Sequence, residues 1–445
     1  MGRTALRWVR DGWVGFAVVF LLAATFTSFF EWSHMRVDAT AYWNAGVRLR
    51  SGAPVYEQTA VPALAKAYLY PPAFAAVFAP ITVLPPLWGW ASWMALEVLC
   101  AVLLARTCAA LAGLDAADRD ARQTALALVL AACVVPVYEN AAEGQVNVLV
   151  ALLCASTLLE TERGRVGRAA LALAAAVHVK LVPIVLAAAF AVWLRARLLC
   201  WVAVALVALA LLPIVWRVTT MGAGAGTHAF ARDYADFWRT IIRPAADAAE
   251  IAGSEQLFAP NFSLRGTLSR LFVSGTALSP FPALASRRGP LLVALPRPVV
   301  DAASALFGVA AIVTALWACR RAADDRQRRL AAGALLLVAG GLAGPTFWQH
   351  HLVIVAVAGA ALWPLIATFT RREQSVAWCC AVAPLAVTVT VPYFVALATG
   401  GFDAEWYRAV REYGLPTFAV VAFFATGIVV TVRRRAPGGA PASVG

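Results

Sequence analysis

Long apolar runs are the feature of this sequence that most limits how it can fold. Runs of about 20 apolar residues, for example 87–112, 298–318 and 414–432, are long enough to cross a bilayer. Backbone groups inside a bilayer must bond to one another, so each run has to be helical. Only 14% of the residues are charged, whereas a soluble domain is about a quarter charged. The sequence therefore predicts an all-α, polytopic membrane protein.

Basic residues between the runs predict how the helices are oriented. Arginines cluster between apolar runs, for example at Arg163, Arg165 and Arg168, and such clusters face the cytoplasm in membrane proteins. Placing every cluster inside gives about 12 spans, with both termini in the cytoplasm. The predicted spans are 12–30, 87–112, 198–216, 298–318, 330–347, 352–370, 376–399 and 414–432, shorter ones at 123–138 and 147–161, two short crossings within 168–195, and a re-entrant or broken half-span at 71–86.

Two long segments, 31–70 and 217–297, are placed on the extracytoplasmic side by this orientation. Apolar residues at helical spacing within 39–50, 57–69 and 228–245 predict amphipathic helices at the membrane surface. These helices would lie beside any site that opens to the outside.

The remaining segments complete the predicted organisation. The glycine- and alanine-rich stretch 221–226 is expected to be a flexible joint, and 436–445 a disordered cytoplasmic tail. We expect 1–445 to form a single transmembrane catalytic domain in the plasma membrane.

Composition also bears on partners and cofactors. The net charge of +13 would suit a nucleic-acid partner, but membrane orientation accounts for the arginine clusters, so none is expected. The 8 cysteines lie in or beside apolar runs without CxxC spacing, as small core residues do. No acids and histidines stand at metal-ligand spacing. We therefore expect no metal and no other cofactor.

Asp38, in VDAT just after the first apolar run, is the main catalytic candidate. One interpretation is an N-cap for the helix that follows. The other is a general base at the membrane surface, since a carboxylate near apolar groups can be tuned to accept a proton from a hydroxyl. The residues alone leave both open.

Four residues are candidates for binding a phosphate. Lys180, in VHVKLVP, is one of only two lysines among 37 basic residues and is flanked by apolar residues, where a charge is costly and usually functional. His350 and His351 stand at the mouth of a span, and adjacent positions on a helix would point them to different sides. Arg265, in NFSLRGTLSRLF, is the fourth.

A further set is predicted to bind hydroxyl groups, such as those of a sugar or another polyhydroxyl acceptor. Gln145 and Asn147 are polar residues at the start of a span, where amides can bond to hydroxyls. The aromatic candidates for the same role are Tyr42, Tyr70 and Trp348.

Six segments in order resemble the successive blocks of glycosyltransferase family 87, from about residue 35 to 370. They read VDATAYWNAGVRLRSGAPVY, YLYPPAFAAVFAPITVLP, EGQVNVLVALL, HVKLVP, NFSLRGTLSRLF and PTFWQHHLVIV. The resemblance implies a GT-C membrane fold and a mannosyltransferase that uses polyprenyl-phosphate-mannose. It also implies a catalytic aspartate at Asp38 and a histidine near the donor phosphate, at His350 or His351. Phe262 departs from the pattern, which has glutamine there, and this weakens a sugar contact at that block.

Within the family, the sequence is similar to the mycobacterial type that adds an α-1,2-mannose to phosphatidylinositol mannosides. Its lysine-poor, alanine- and arginine-rich composition fits a high-GC actinobacterium. The expected partners are thus the donor lipid, a glycolipid acceptor and membrane lipids. The expected reaction is an inverting displacement in which Asp38 deprotonates the acceptor.

Two alternatives remain at this point. One is a transferase for arabinofuranose or another sugar carried by a polyprenyl phosphate. The other is a secondary transporter, which should show paired halves with matching broken helices at mid-membrane, and the sequence shows no such repeat.

Overall fold

Helices form all of the regular structure in the part of the chain that the structure describes. This computed structural model describes residues 25–26, 28–29, 38–56, 68–113, 135–243, 261–275, 290–344, 347, 349–399 and 405–433. No strand occurs within these ranges, so the all-α prediction is confirmed for them.

The α-helices of the described residues are numbered here in chain order. They are α1 (Ala39–Ser51), α2 (Pro72–Phe78), α3 (Pro86–Leu111), α4 (Asn147–Glu162), α5 (Val166–Val179), α6 (Val185–Val192), α7 (Ala196–Ala210), α8 (Leu212–Met221), α9 (Ala223–Phe237), α10 (Leu264–Phe272), α11 (Arg297–Arg321), α12 (Arg326–Ala343), α13 (Val353–Ile366), α14 (Arg371–Ala381), α15 (Val391–Thr399), α16 (Glu405–Glu412) and α17 (Leu415–Val432). Turns of 3-10 or π helix and one three-residue helix join some of them, at Ala79–Val83, Val182–Ile184, Trp238–Ile242, Gln349–Leu352, Ala383–Leu385 and Ala386–Thr390.

Six helical stretches in the described residues are long and apolar enough to cross a membrane. They are Pro86–Leu111, Ala196–Met221, Arg297–Arg321, Gln349–Ile366, Arg371–Ala396 and Leu415–Val432. Each coincides with a predicted span, as expected for a helical membrane protein. The count of about 12 stays a prediction, since 12–30 and 123–138 lie mostly outside the described residues.

Two shorter apolar stretches are broken where the sequence predicted. Within 168–195, α5 ends at Val179, Lys180 takes an extended conformation, and the 3-10 turn Val182–Ile184 leads into α6. The run 71–86 forms a short apolar helical stretch, Pro72–Val83. Proline explains such breaks, because it lacks the N–H that continues a helix.

Contacts divide the chain into two compact units. The described residues of the first lie within Met1–Thr107, Val134–Ile184 and Ala196–Ser254, and those of the second within Cys108–Cys133, Val185–Arg195 and Glu255–Gly445. In the first unit α1 packs on α2, and α5 packs on α4 and α7. In the second, α12 is buried from Leu330 to Leu342 and packs on α11, α13 and α17.

The expected flexible joint at 221–226 is wrong. Helix α8 ends at Met221, Gly222 turns the chain with φ +79°, and α9 begins at Ala223. A Cβ on Gly226 would lie 2.6 Å from the carbonyl oxygen of Arg217. The glycine therefore lets α8 and α9 approach closely, which is a packing role.

The predicted amphipathic helices are present where the structure describes them. In α1, Tyr42, Ala45 and Leu49 are buried as the pattern indicated. In α9, Phe237 is buried, but Trp238 is 61% exposed in the π turn that follows. Most of 57–69 and the tail 436–445 lie outside the described residues.

Candidate active site

Asp38 stands directly before α1, in the first unit. Its side chain makes no capping hydrogen bond to the described residues of α1, so the N-cap interpretation is not supported. Its backbone N–H donates to the carbonyl oxygen of Glu143 over 2.9 Å. The start of α1 is thus joined to residues 139–147, which we name the polar loop, where a helical stretch that ends at residue 142 is followed by a turn and the start of α4.

The polar loop lies against α1 because residue 144 is a glycine. Gly144 has φ +61°, a backbone conformation that residues with a side chain rarely adopt. A Cβ there would lie 2.7 Å from the Cβ of Ala39. Its carbonyl oxygen accepts a hydrogen bond of 3.0 Å from the indole N–H of Trp93. These contacts bring Gln145 beside Tyr42.

A hydrogen-bonded chain of polar side chains follows from this placement. The Tyr42 hydroxyl donates to the Tyr70 hydroxyl over 2.9 Å, and Tyr70 donates to Oε1 of Gln145 over 3.2 Å. Nδ2 of Asn147 donates to the same oxygen over 3.3 Å. Four of the residues predicted to bind sugar or acceptor therefore lie together.

Aromatic rings surround the buried end of this chain. The Tyr42 ring meets those of Tyr70, Phe74 and Trp93 edge to face, with centroids 4.8, 5.1 and 5.9 Å away. Burial raises the pKa of the Tyr42 hydroxyl well above its usual value, and Tyr70 and Asp38 add to the effect. Burial, then Asp38, also raises the pKa of Tyr70. Both hydroxyls are therefore protonated donors at physiological pH.

Lys180 joins the cluster from the break after α5. Its ammonium group donates to Oδ1 of Asn147. Burial lowers the pKa of Lys180 to about 7, although the negative charge of Asp38 acts in the opposite direction. Asp38 thus lies close enough to act on Lys180, Tyr42 and Tyr70. The carboxylate of Asp38, the amine of Lys180 and several neutral donors thus gather in the first unit.

Glu97 is a member of this cluster that sequence reasoning missed. It lies on α3, is 4% exposed, and its Oε2 accepts a hydrogen bond of 2.6 Å from Nδ2 of Asn140 in the polar loop. A signal was present, because a carboxylate inside a membrane span is costly and usually functional.

The other phosphate candidates lie in the second unit. Arg265 forms an ion pair with Asp301, with Nη2 3.0 Å from the carboxylate, so part of its charge is already neutralised. His350 is buried and His351 half-buried in the 3-10 turn Gln349–Leu352. Their rings meet edge to face with centroids 4.8 Å apart. The sequence predicted that the two rings would point to different sides of a helix. Trp348 lies outside the described residues.

The NFSL segment of the second unit has a structural role. Oδ1 of Asn261 accepts hydrogen bonds of 2.9 Å from the backbone N–H groups of Ser263 and Phe347. Ser263 caps α10 by accepting from the N–H of Gly266. Phe262, the departure from the family pattern, is buried and bonds through its backbone to Phe347.

Metal binding has no support in the described residues, where no three His, Cys, Asp or Glu side chains are grouped to hold an ion. Metal independence nevertheless stays a prediction.

Apolar helices and buried polar groups gathered near the carboxylate of Asp38 are features that a membrane-embedded transferase needs. The chain belongs to glycosyltransferase family 87, whose family model matches residues 68–343, more than half of its length. The matched region contains Gln145, Asn147 and Lys180, while Asp38 precedes it and His350 follows it. Comparisons with curated proteins and with solved structures each found no significant match.

Proposed function

We propose that this glycosyltransferase moves mannose from polyprenyl-phosphate-mannose to a glycolipid acceptor, with inversion and an α-1,2 linkage. The family supports the transferase class. Support for the sugar, the acceptor and the linkage comes from the sequence blocks resembling mannosyltransferases. The proposed side of the reaction is extracytoplasmic, because the arginine clusters are expected to face the cytoplasm.

The observation that carries the mechanism is the position of Asp38. Its carboxylate does not cap α1, and it lies near the cation Lys180 and the chain that links Tyr42, Tyr70 and Gln145. A base, a cation and hydroxyl-binding groups are the parts that a displacement on a phosphate-linked sugar needs.

Each part has one task in the proposed reaction. Asp38 accepts the proton of the acceptor hydroxyl as its oxygen attacks the anomeric carbon. The bond from that carbon to the donor phosphate oxygen breaks, and the lipid phosphate leaves with the electron pair. Lys180 balances the negative charge that develops on this phosphate. Gln145 and the tyrosines bind sugar or acceptor hydroxyls.

Asp38→Asn tests the role of the base. The amide keeps the size of the side chain and leaves the backbone bond to Glu143 intact, so the fold should survive. We expect transfer to fall about 10²–10⁴-fold, the usual contribution of a general base. Purified protein in lipid nanodiscs would be given labelled polyprenyl-phosphate mannose, glucose and arabinofuranose in turn, with a glycolipid extract.

Asp236→Asn is the matched control, because Asp236 is, like Asp38, a half-buried carboxylate, but it forms an ion pair with the exposed Arg239. It should transfer like the parent protein. Near-parental transfer by Asp38→Asn would remove the base role, and transfer of arabinofuranose but not mannose would reject the proposed donor.

A further inference from the structure

Glu97 is a buried carboxylate that the proposed mechanism does not use. It lies on α3, within a stretch apolar enough to span a membrane. Oε2 accepts from Asn140, while Oε1 is buried without a hydrogen-bond partner among the described residues. Burying a carboxylate this way is costly. The position therefore calls for a role beyond packing.

Hydrogen bonds connect Glu97 to the candidate site in two steps. With its Nδ2 bound to Glu97, Asn140 presents Oδ1 to the backbone N–H of Asn147 over 2.9 Å. The side chain of Asn147 then donates to Gln145 and accepts from Lys180. The Asn140 amide thus contacts the backbone of Asn147, the residue whose side chain bonds to Gln145 and Lys180.

A second side chain of α3, that of Trp93, forms a hydrogen bond to the polar loop. Trp93 precedes Glu97 by one helical turn, so both lie on one face of α3. Trp93 donates to the carbonyl oxygen of Gly144, and Glu97 accepts from Asn140. The polar loop is therefore held at two points by one rigid helix, which is how a site keeps its geometry.

We propose that Glu97 is a positioning residue that sets the orientation of Gln145 and Lys180 through Asn140 and Asn147. Its relevance to catalysis rests on the proposed function, whereas the positioning itself can be measured without transfer. Among the residues that the structure describes, the titratable side chains close enough to respond to a charge on Glu97 are Tyr42 and Cys100.

The two lysines of the chain make a direct test possible. In a Lys66→Arg background Lys180 is the only lysine, and its reductive methylation can be followed by peptide mass spectrometry against pH. Glu97→Leu removes the acceptor for Asn140, so Asn147 should no longer accept from Lys180. The ammonium form loses a hydrogen bond, and the labelling midpoint should fall by about one pH unit from its starting value near 7.

Glu97→Gln keeps an oxygen acceptor and should leave the midpoint unchanged. Thr157→Val is the control for losing a buried hydrogen bond elsewhere, because Thr157 bonds only within α4 in the described structure. It too should leave the midpoint unchanged. In the transfer assay, Glu97→Leu should lower kcat about tenfold and Glu97→Gln should restore it.

The labelling result decides the positioning role whatever the donor sugar proves to be. An unchanged or raised midpoint in Glu97→Leu overturns the proposal, as does a Glu97→Gln variant that behaves like Glu97→Leu. A lowered midpoint with no transfer in the parent protein would uphold the positioning role and reject the proposed function instead.

Discussion

Replacing Gly144 by alanine tests how the polar loop reaches Asp38. The new alanine would have to adopt φ +61°, a backbone conformation that costs about 1–2 kcal/mol for a residue other than glycine. Its Cβ would also lie 2.7 Å from the Cβ of Ala39, and overpacking of this kind typically costs about 1–3 kcal/mol. We expect Gly144→Ala to lower the free energy of unfolding by about 2–5 kcal/mol. Transfer should fall as well, because the loop must move away from Asp38.

Gly164→Ala is the matched control. Gly164 has a similar φ of +70°, but a Cβ there meets no atom within 4 Å, so only the cost of about 1–2 kcal/mol for the backbone applies. In thermal unfolding in detergent, Gly144→Ala should therefore be less stable than Gly164→Ala, and both should be less stable than the parent protein. Ala39→Gly combined with Gly144→Ala should recover part of the loss, because the clashing methyl is gone. Equal stability of the two alanine variants, or no recovery in the double variant, would refute the close-approach explanation.

Three further predictions concern charge, metal and orientation. Because burial holds the pKa of Lys180 near 7, its ammonium form predominates below that pH and is lost above it. Donor kcat/KM should therefore fall about tenfold per pH unit above 7, and Lys180→Arg, which keeps its charge, should abolish that fall. Dialysis against EDTA should leave transfer intact; loss of activity that Mg²⁺ or Mn²⁺ restores would contradict metal independence. In a cysteine-free background, Gly164→Cys should resist an impermeant thiol reagent in intact cells and Gly253→Cys should react, whereas a labelled position 164 would reverse the orientation.

Periodicity and helix-breaking residues predicted the elements that carry the candidate site. The buried face of α1 and the break at Lys180 both follow from local patterns: apolar residues at helical spacing, and a polar residue before a proline. Local chemistry is enough for such features because neighbouring residues determine them.

Tertiary contacts explain what the sequence could not settle. Whether Asp38 caps α1 depends on a side-chain rotamer, and both interpretations fit VDAT equally. The stretch 221–226 was taken as a joint because glycine is flexible in isolation, yet Gly226 is in a helix whose neighbour comes too close for a side chain. The sequence suggested Arg265 as a cation for a phosphate. It could not reveal the ion pair with Asp301, because Asp301 is 36 residues away along the chain. Such pairings depend on the fold.

The way α1 is anchored bears on the catalytic role that we propose for Asp38. At its start, the backbone N–H of Asp38 is bonded to Glu143. Near its end, Arg50 donates to the carbonyl oxygen of Thr82 over 2.6 Å. Just beyond, Ala53 accepts from Arg217, whose guanidinium is fully buried against Asp233. Breaking one side of such a buried pair costs about 3–5 kcal/mol. Contacts therefore hold α1 at both ends, and they would keep Asp38 in place before any substrate binds, as the proposed role of a preorganised base requires.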